Sequence, residues 1–163
     1  MGRGATVSAG NRWYEARKNA SLWNDKLKSK EGAAEALCTG IDAVDSAERN
    51  KYKQMPPELA VAMARVYNAP ELKNYYCLNW CPIGCGRAIS DERVSIDRVA
   101  VQISKMLRKE SVQVIKHGVQ DIAADGKILD DEIPLLKEIM NELREWTKTI
   151  SNLETISESV ASR

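Results

Sequence analysis

The chain has 163 residues, 44% of them hydrophobic and 29% charged, with a net charge of +1, four cysteines, one histidine and no phenylalanine. That length suits one domain or two small ones. No stretch approaches the roughly 20 apolar residues that a membrane helix needs. The opening MGRGATVSAG lacks the apolar run of a signal peptide, so the expectation is a cytoplasmic protein with reduced thiols and no membrane partner. Residues 1–85 carry 12 Lys/Arg against 9 Asp/Glu, and residues 86–163 carry 12 against 14. This is a modest basic lean towards the front of the chain, well short of the strong basic field of a dedicated nucleic-acid binder.

Residues 1–10 are small and polar and are expected to be disordered. From Asn11, NRWYEARKNASLW places Trp13, Ala16, Ala20 and Trp23 on one helix face. Polar NDKLKS follows. SKEGAAEALC reads as a short helix with Ser29 as its N-cap and Ala33, Ala34 and Leu37 inward; Gly32 inside it costs ~1 kcal/mol relative to Ala. CTG marks a turn. IDAVDSAERN is a third helix, with Asp42 as its cap and Val44 and Ala47 inward. The loop KYKQMP leads to Pro57, which fits the first position of PELAVAMARVYN, where Leu59, Met63 and Val66 share a face. Asn68-Ala69-Pro70 breaks that helix, and ELKNYYCLNW forms a fifth that stops at Pro82.

The second half changes character. Ile96, Val99, Ile103 and Met106 recur at heptad-like spacing, the phase slips through RKES, and Val112, Ile115, Val119 and Ile122 resume it. ADGKILDDE is a turn. A further helix then carries Leu136, Ile139, Leu143, Trp146, Ile150 and Leu153. Two arms of roughly 40 Å joined by a polar turn read as an antiparallel helical hairpin. The predicted fold is all-α, with a five-helix domain over 11–86 and the hairpin over 87–163. If Leu143, Trp146 and Ile150 overrun the facing arm, they form the seam of a homodimer.

The densest stretch is Met63–Cys85, with three of the four cysteines and three of the five tyrosines. The order NRWYEARKNASLW, KEGAAEAL, GIDAVDSAE, PPELAVAMARVYNAPELKNYYC resembles phage-repressor-like helix-turn-helix regulators of the XRE type. YNAPELKNYYCLNWCPIG is similar to a subgroup, found in Gram-positive bacteria and their mobile elements, with a YYCxxxCPIG-like segment after the helix-turn-helix. The resemblance spans about residues 11–86 and is most specific over 57–84. It implies a DNA-binding, transcriptional role, often as a dimer on double-stranded DNA, with the recognition helix over 41–50. Phosphate would be held by Arg17, Lys18, Arg49, Lys51 and Lys53, and bases read by Ser46 and Arg49. NDKLKS is an insertion relative to that pattern. The recognition helix also carries Asp42, Asp45 and Glu48, which a duplex bearing a charge every ~1.7 Å repels. Three meanings stay open: DNA binding through flanking basic residues, altered specificity, or a degenerate scaffold turned into a protein-binding or inhibitor module that presents those three carboxylates.

Cys77, Cys81 and Cys85 form C-x3-C-x3-C. Grouped thiolates can hold Zn²⁺ or an iron–sulfur cluster, with Cys38 as a fourth ligand. The spacing is neither a zinc knuckle nor the common ferredoxin pattern, and buried thiols at a domain junction are the plainer expectation. Asp121 to Glu132 partly matches a calcium-binding loop, but Ala123 stands where an oxygen ligand is wanted. A polar turn with Gly126 at positive φ is the simpler reading. His117 lies mid-helix without a placed catalytic partner. No phosphate-binding loop is present, and no residue pattern argues for an enzyme or a cofactor.

Overall fold

A computed structural model describes residues 10–84, 86–123 and 126–161. Among these residues every regular element is helical and no strand occurs. Helix α1 is Arg12–Ala20, a 3₁₀ turn follows at Asp25–Lys28, then α2 Lys30–Ala36, α3 Ile41–Glu48, α4 Pro57–Val66 and α5 Glu71–Asn79. The remaining helices are α6 Ile96–Met106, α7 Lys109–Ile122 and α8 Ile133–Ala161. The chain divides into two compact units. One comprises residues up to Gly86, with those from Glu158 on grouping with it; the other is Arg87–Ser157. The disorder expected at residues 1–10 falls, Gly10 apart, outside the described residues.

The first unit is built from short helices whose ends are specified locally. Asn11 caps α1, its Oδ1 accepting the Trp13 and Tyr14 N–H groups at 2.8 and 3.1 Å. Ser29 caps α2 through the Gly32 N–H at 3.0 Å, and Pro57 opens α4, where its missing N–H leaves no bond unmade. The expected Asp42 cap is not formed. Gly40 holds the N-cap of α3, with no side-chain bond, and Asp42 lies in the first turn, where a carboxylate complements the helix dipole.

Helices α2, α3 and α4 terminate alike. Cys38, Asn50 and Asn68 take left-handed backbone at φ 51°, 52° and 47°. The next residue's N–H returns to the carbonyl five positions back: Thr39 to Ala34, Lys51 to Ser46 and Ala69 to Ala64, at 2.8–2.9 Å. This closure satisfies carbonyls that a helix end leaves orphaned.

Trp13, Leu27, Met55, Met63, Tyr67 and Leu72 are essentially inaccessible, with Val44 and a set of alanines from α1 to α4 between them. Each large side chain contributes about 1.5–3 kcal/mol by leaving water. The aromatics of α5 pack on Trp13: Tyr75 meets it edge-on at 5.7 Å, and Trp80 lies 6.1 Å away. Tyr75, Tyr76 and Trp80 of the YYCLNW run are therefore partly buried against the core, Tyr75 and Trp80 in contact with Trp13 of α1.

Two expectations for this unit change. Trp23 does not continue the face of α1, because the helix ends at Ala20 with Ser21 as its cap, and Trp23 is 61% exposed. NDKLKS contains the 3₁₀ turn, and Leu27 within it is fully buried. Gly32 explains how that turn sits: a Cβ there would stand 2.0 Å from the Lys26 carbonyl oxygen. The helix-weakening glycine is the condition for α2 to close on the turn.

In the second unit Ser95 caps α6 through the Arg98 N–H. Val99, Ile122 and Ile139 are its buried apolar side chains. A Cβ at Gly118 would meet Ile139 Cδ1 at 2.7 Å, so α7 and α8 approach closely there. The first arm is not one continuous helix. Arg108 is extended (φ −61°, ψ 139°), at the point where the apolar phase slips, and divides it into α6 and α7 of ~16 and ~21 Å. Helix α8 runs for 29 residues, ~44 Å. Leu143 and Trp146 are half-buried, while Ile150 and Leu153 are 53% and 40% exposed.

Candidate functional site

Helix α3 carries most of the residues singled out for function, and two ties hold it in place. Asn11 Nδ2 donates to the Ala47 carbonyl at 3.0 Å and to Asn50 Oδ1 at 2.9 Å, joining the start of α1 to the end of α3. Beside it, Arg17 donates to both oxygens of Glu48, Nε–Oε1 at 2.5 Å and Nη2–Oε2 at 3.0 Å. The remaining nitrogen, Nη1, reaches the Leu27 and Lys28 carbonyls at 2.9 and 3.3 Å. One guanidinium therefore joins α1, the 3₁₀ turn and α3.

Burial pulls the Arg17 pKa down, but the hydrogen bond and charge of Glu48 outweigh it and leave it raised. Tyr67, buried against this pair, has its phenol pushed strongly up by desolvation and then by the Glu48 charge. Arg17 is 3% exposed and Glu48 fully buried. Two assignments are thereby corrected. Arg17 has no surface to offer a phosphate, and Glu48 has none to offer a protein partner. The resemblance had set Arg17 among the phosphate contacts and Glu48 among the acidic residues of the recognition helix; in the fold the two side chains meet each other.

Asp45 stands at the rim, surrounded by cations. Lys30 Nζ lies 2.5 Å from Oδ1, Arg49 Nε 2.9 Å from the same oxygen and Lys51 Nζ 3.0 Å from Oδ2. Hydrogen bonds from Lys30 and then Lys51 hold its carboxyl at about 2, against an ordinary 3.8. Lys30 also lies 3.8 Å from Glu48 Oε2. Ser46 is half-buried, and Asp42, Arg49, Lys51 and Lys53 are exposed. Lys18 is exposed on α1, its ammonium 5.7 Å from the Tyr14 ring centroid.

The structure thus gathers Asp45, Arg49 and Lys51 into one cluster and adds Lys30, which the sequence did not single out. Nothing in KEGAAEAL marks Lys30 as more than a solvated lysine. Asn11 was equally missed, although a lone Asn before an apolar-periodic run is a recognisable cap signal.

Cys77 and Cys81 are half-buried at the end of α5. The Tyr76 phenol is raised by desolvation and then by Cys81 and Cys77. Cys85 lies outside the described residues, as does Asp125 of the calcium-like loop. Among the described residues no group of three or more His, Cys, Asp or Glu side chains is placed to hold a metal ion. Gly126 has φ +72°, and Glu132 accepts the Leu129 N–H at 2.8 Å; both are turn geometry. No helix is long and apolar enough to cross a membrane among the described residues. Compared with models of known protein families, with curated proteins and with solved structures, the chain gives no significant match.

Proposed function

We propose that the chain is a DNA-binding transcriptional regulator in which α2 and α3 act as a helix-turn-helix pair. Its phosphate contacts are Lys18, Arg49, Lys51 and Lys53, with Lys30 added and Arg17 removed, and Ser46 and Arg49 are the base readers. One observation carries the reading. The acidic character of α3 is largely spent within the fold, Glu48 on Arg17 and Asp45 on three cations. What remains outward around Asp45 is three positive side chains to one negative, a sign that suits a phosphate backbone.

Less supports the competing reading, a protein-binding or inhibitor module. Of the three carboxylates proposed for it, only Asp42 stands exposed with no cation bonded to it among the described residues. Pairing of two copies through the exposed Ile150 and Leu153 of α8 would supply the dimer that two half-sites require. Sedimentation of wild type against Ile150→Ser tests that part.

The direct experiment is a salt titration of binding to a mixed-sequence duplex. Each phosphate contact contributes about −0.9 to the log–log slope. Several contacts therefore give a slope of several units, and Arg49→Ala should weaken binding. Binding that does not depend on salt, or an Arg49→Ala variant indistinguishable from wild type, would sink the proposal.

A further inference from the structure

The break at Arg108 leaves an opening in the second unit. At Gly118 and Ile139 the two arms touch. Between the α6–α7 junction and α8, a cavity of about 320 Å³ remains. That volume lies at the lower end of the ~300–1,000 Å³ usual for small-molecule sites. Every side chain lining it comes from residues 102–111 or 142–149, so the cavity belongs wholly to this unit.

Two of the lining side chains carry a buried polar atom with no hydrogen-bond partner among the described residues, Gln102 Oε1 from α6 and Trp146 Nε1 from α8. Leaving such an atom unpaired costs about 1–3 kcal/mol. Both atoms sit behind the cavity wall, out of reach of water. Rotation about the side-chain torsions, a common adjustment on binding, turns either one inward. One is an acceptor and the other a donor. Together they complement a carboxamide, which offers an N–H and a C=O on one planar group.

Charge adds a second requirement. Lys105 and Arg108 line the junction side and Glu142 and Glu145 the α8 side, all four exposed. Opposite charges that flank a pair of packed helices commonly bridge it. Here none of the four pairs with another. Glu145 binds Lys148 of its own helix at 2.7 Å, and Lys105, Arg108 and Glu142 form no ion pair among the described residues. Helix α7 starts at this point, and its N-cap Arg108 makes no side-chain capping bond. Its free N–H groups add partial positive charge to the side of the two cations. The cavity thus has a cationic wall and an anionic wall that do not neutralise each other. A ligand with one charge of each sign satisfies both, whereas a simple anion or cation is opposed by one of them.

We infer that this cavity binds a small zwitterion bearing a carboxamide, an amino acid of the glutamine kind. Lys105 and Arg108 hold its carboxylate, Glu142 and Glu145 its ammonium, and Gln102 and Trp146 its amide. The site does not depend on the DNA-binding reading, and each can fail without the other.

The test is titration calorimetry on the full-length chain with three ligands. L-glutamine carries all three groups, glutaramate lacks the ammonium, and L-glutamate replaces the amide by a second carboxylate. Wild type is compared with Glu142→Gln, an exposed position where the fold should be indifferent, and with Trp146→Phe, which keeps a ring and deletes the N–H. Circular dichroism checks that each variant is folded. Expected is one L-glutamine per chain with a Kd of about 1 mM or tighter. Each variant should bind it about tenfold more weakly, and wild type should bind the other two ligands at least about tenfold more weakly. No saturable binding of L-glutamine by about 10 mM would overturn the proposal. So would equal affinity for glutaramate, or a Glu142→Gln variant that binds L-glutamine as wild type does. If Trp146→Phe fails to fold, Glu142→Gln and the ligand series still decide.

Discussion

Replacing Arg17 separates a structural from a functional role. In Arg17→Ala, Glu48 stays buried and keeps only Lys30, at 3.8 Å. The Leu27 and Lys28 carbonyls lose the donor they share. Removing one member of a buried pair costs about 3–5 kcal/mol, and a carbonyl left unpaired costs about 1 kcal/mol more. A small helical unit has about 5–10 kcal/mol in total, so the single variant should retain little stability. The double variant Arg17→Met/Glu48→Leu removes both charges and keeps apolar volume, and such exchanges are often neutral or better. Only the carbonyl loss remains, and the double variant should recover at least 2 kcal/mol over Arg17→Ala. Urea unfolding followed by circular dichroism supplies the cycle of wild type, Arg17→Met, Glu48→Leu and the double variant, with Arg17→Ala measured beside it. A loss below about 1 kcal/mol for Arg17→Ala would refute the buried tie, as would a double variant no more stable than the single one. A phosphate-contacting Arg17 would give the opposite pattern, an intact fold with weakened DNA binding.

Gly32→Ala should destabilise the first unit by about 2 kcal/mol or more despite the better helix propensity of alanine, because its Cβ would meet the Lys26 carbonyl at 2.0 Å; an unchanged or higher melting temperature would contradict the close approach. Cys38→Gly should stabilise by about 1 kcal/mol, since Cys38 is exposed and sits at φ 51°; the shift is about 4–8 °C for a unit of this size, and no gain would mean the turn is not left-handed in solution. Asp45, lowered to about 2 from 3.8, stabilises the folded state above pH 3.8 and loses that contribution as pH falls towards 2. The stability difference between wild type and Asp45→Asn should be constant above that window and shrink through it; a difference independent of pH would remove the cation cluster.

Helix content was legible because local rules wrote it. Ser29 and Pro57 stand at helix starts as their chemistry requires, and Val44, Ala47 and Met63 face inward as their spacing demands. Trp23 was misplaced because periodicity does not know where a helix stops: Ser21 closes α1 two residues before the pattern would return. Leu27 was missed for the converse reason, as a single apolar residue in a polar run has no period to read. The break at Arg108 was visible as a phase slip in the heptads, and the extended backbone there gives that slip its conformation.

Charge was the least legible feature, and the reason is geometric. Along the chain, Asp42, Asp45 and Glu48 are three negative charges within seven residues, which suggests a helix that repels a duplex. Successive residues three apart drift around a helix, and here the drift carries Glu48 onto α1 while Asp42 stays outward. Two of the positive partners, Arg17 from α1 and Lys30 from α2, come from sequence-distant places, while Arg49 and Lys51 follow Asp45 closely, so a window around α3 contains only part of the balance. Glu48 is desolvated behind Arg17 and is lost to the surface. Asp45 stays at the rim, where ion pairs of this kind contribute little to stability. The acidic run therefore acts as an anchor at one end and a cation holder in the middle. Only its first residue, Asp42, would oppose the proposed duplex directly, a single charge against the contacts proposed for Lys30, Arg49, Lys51 and Lys53.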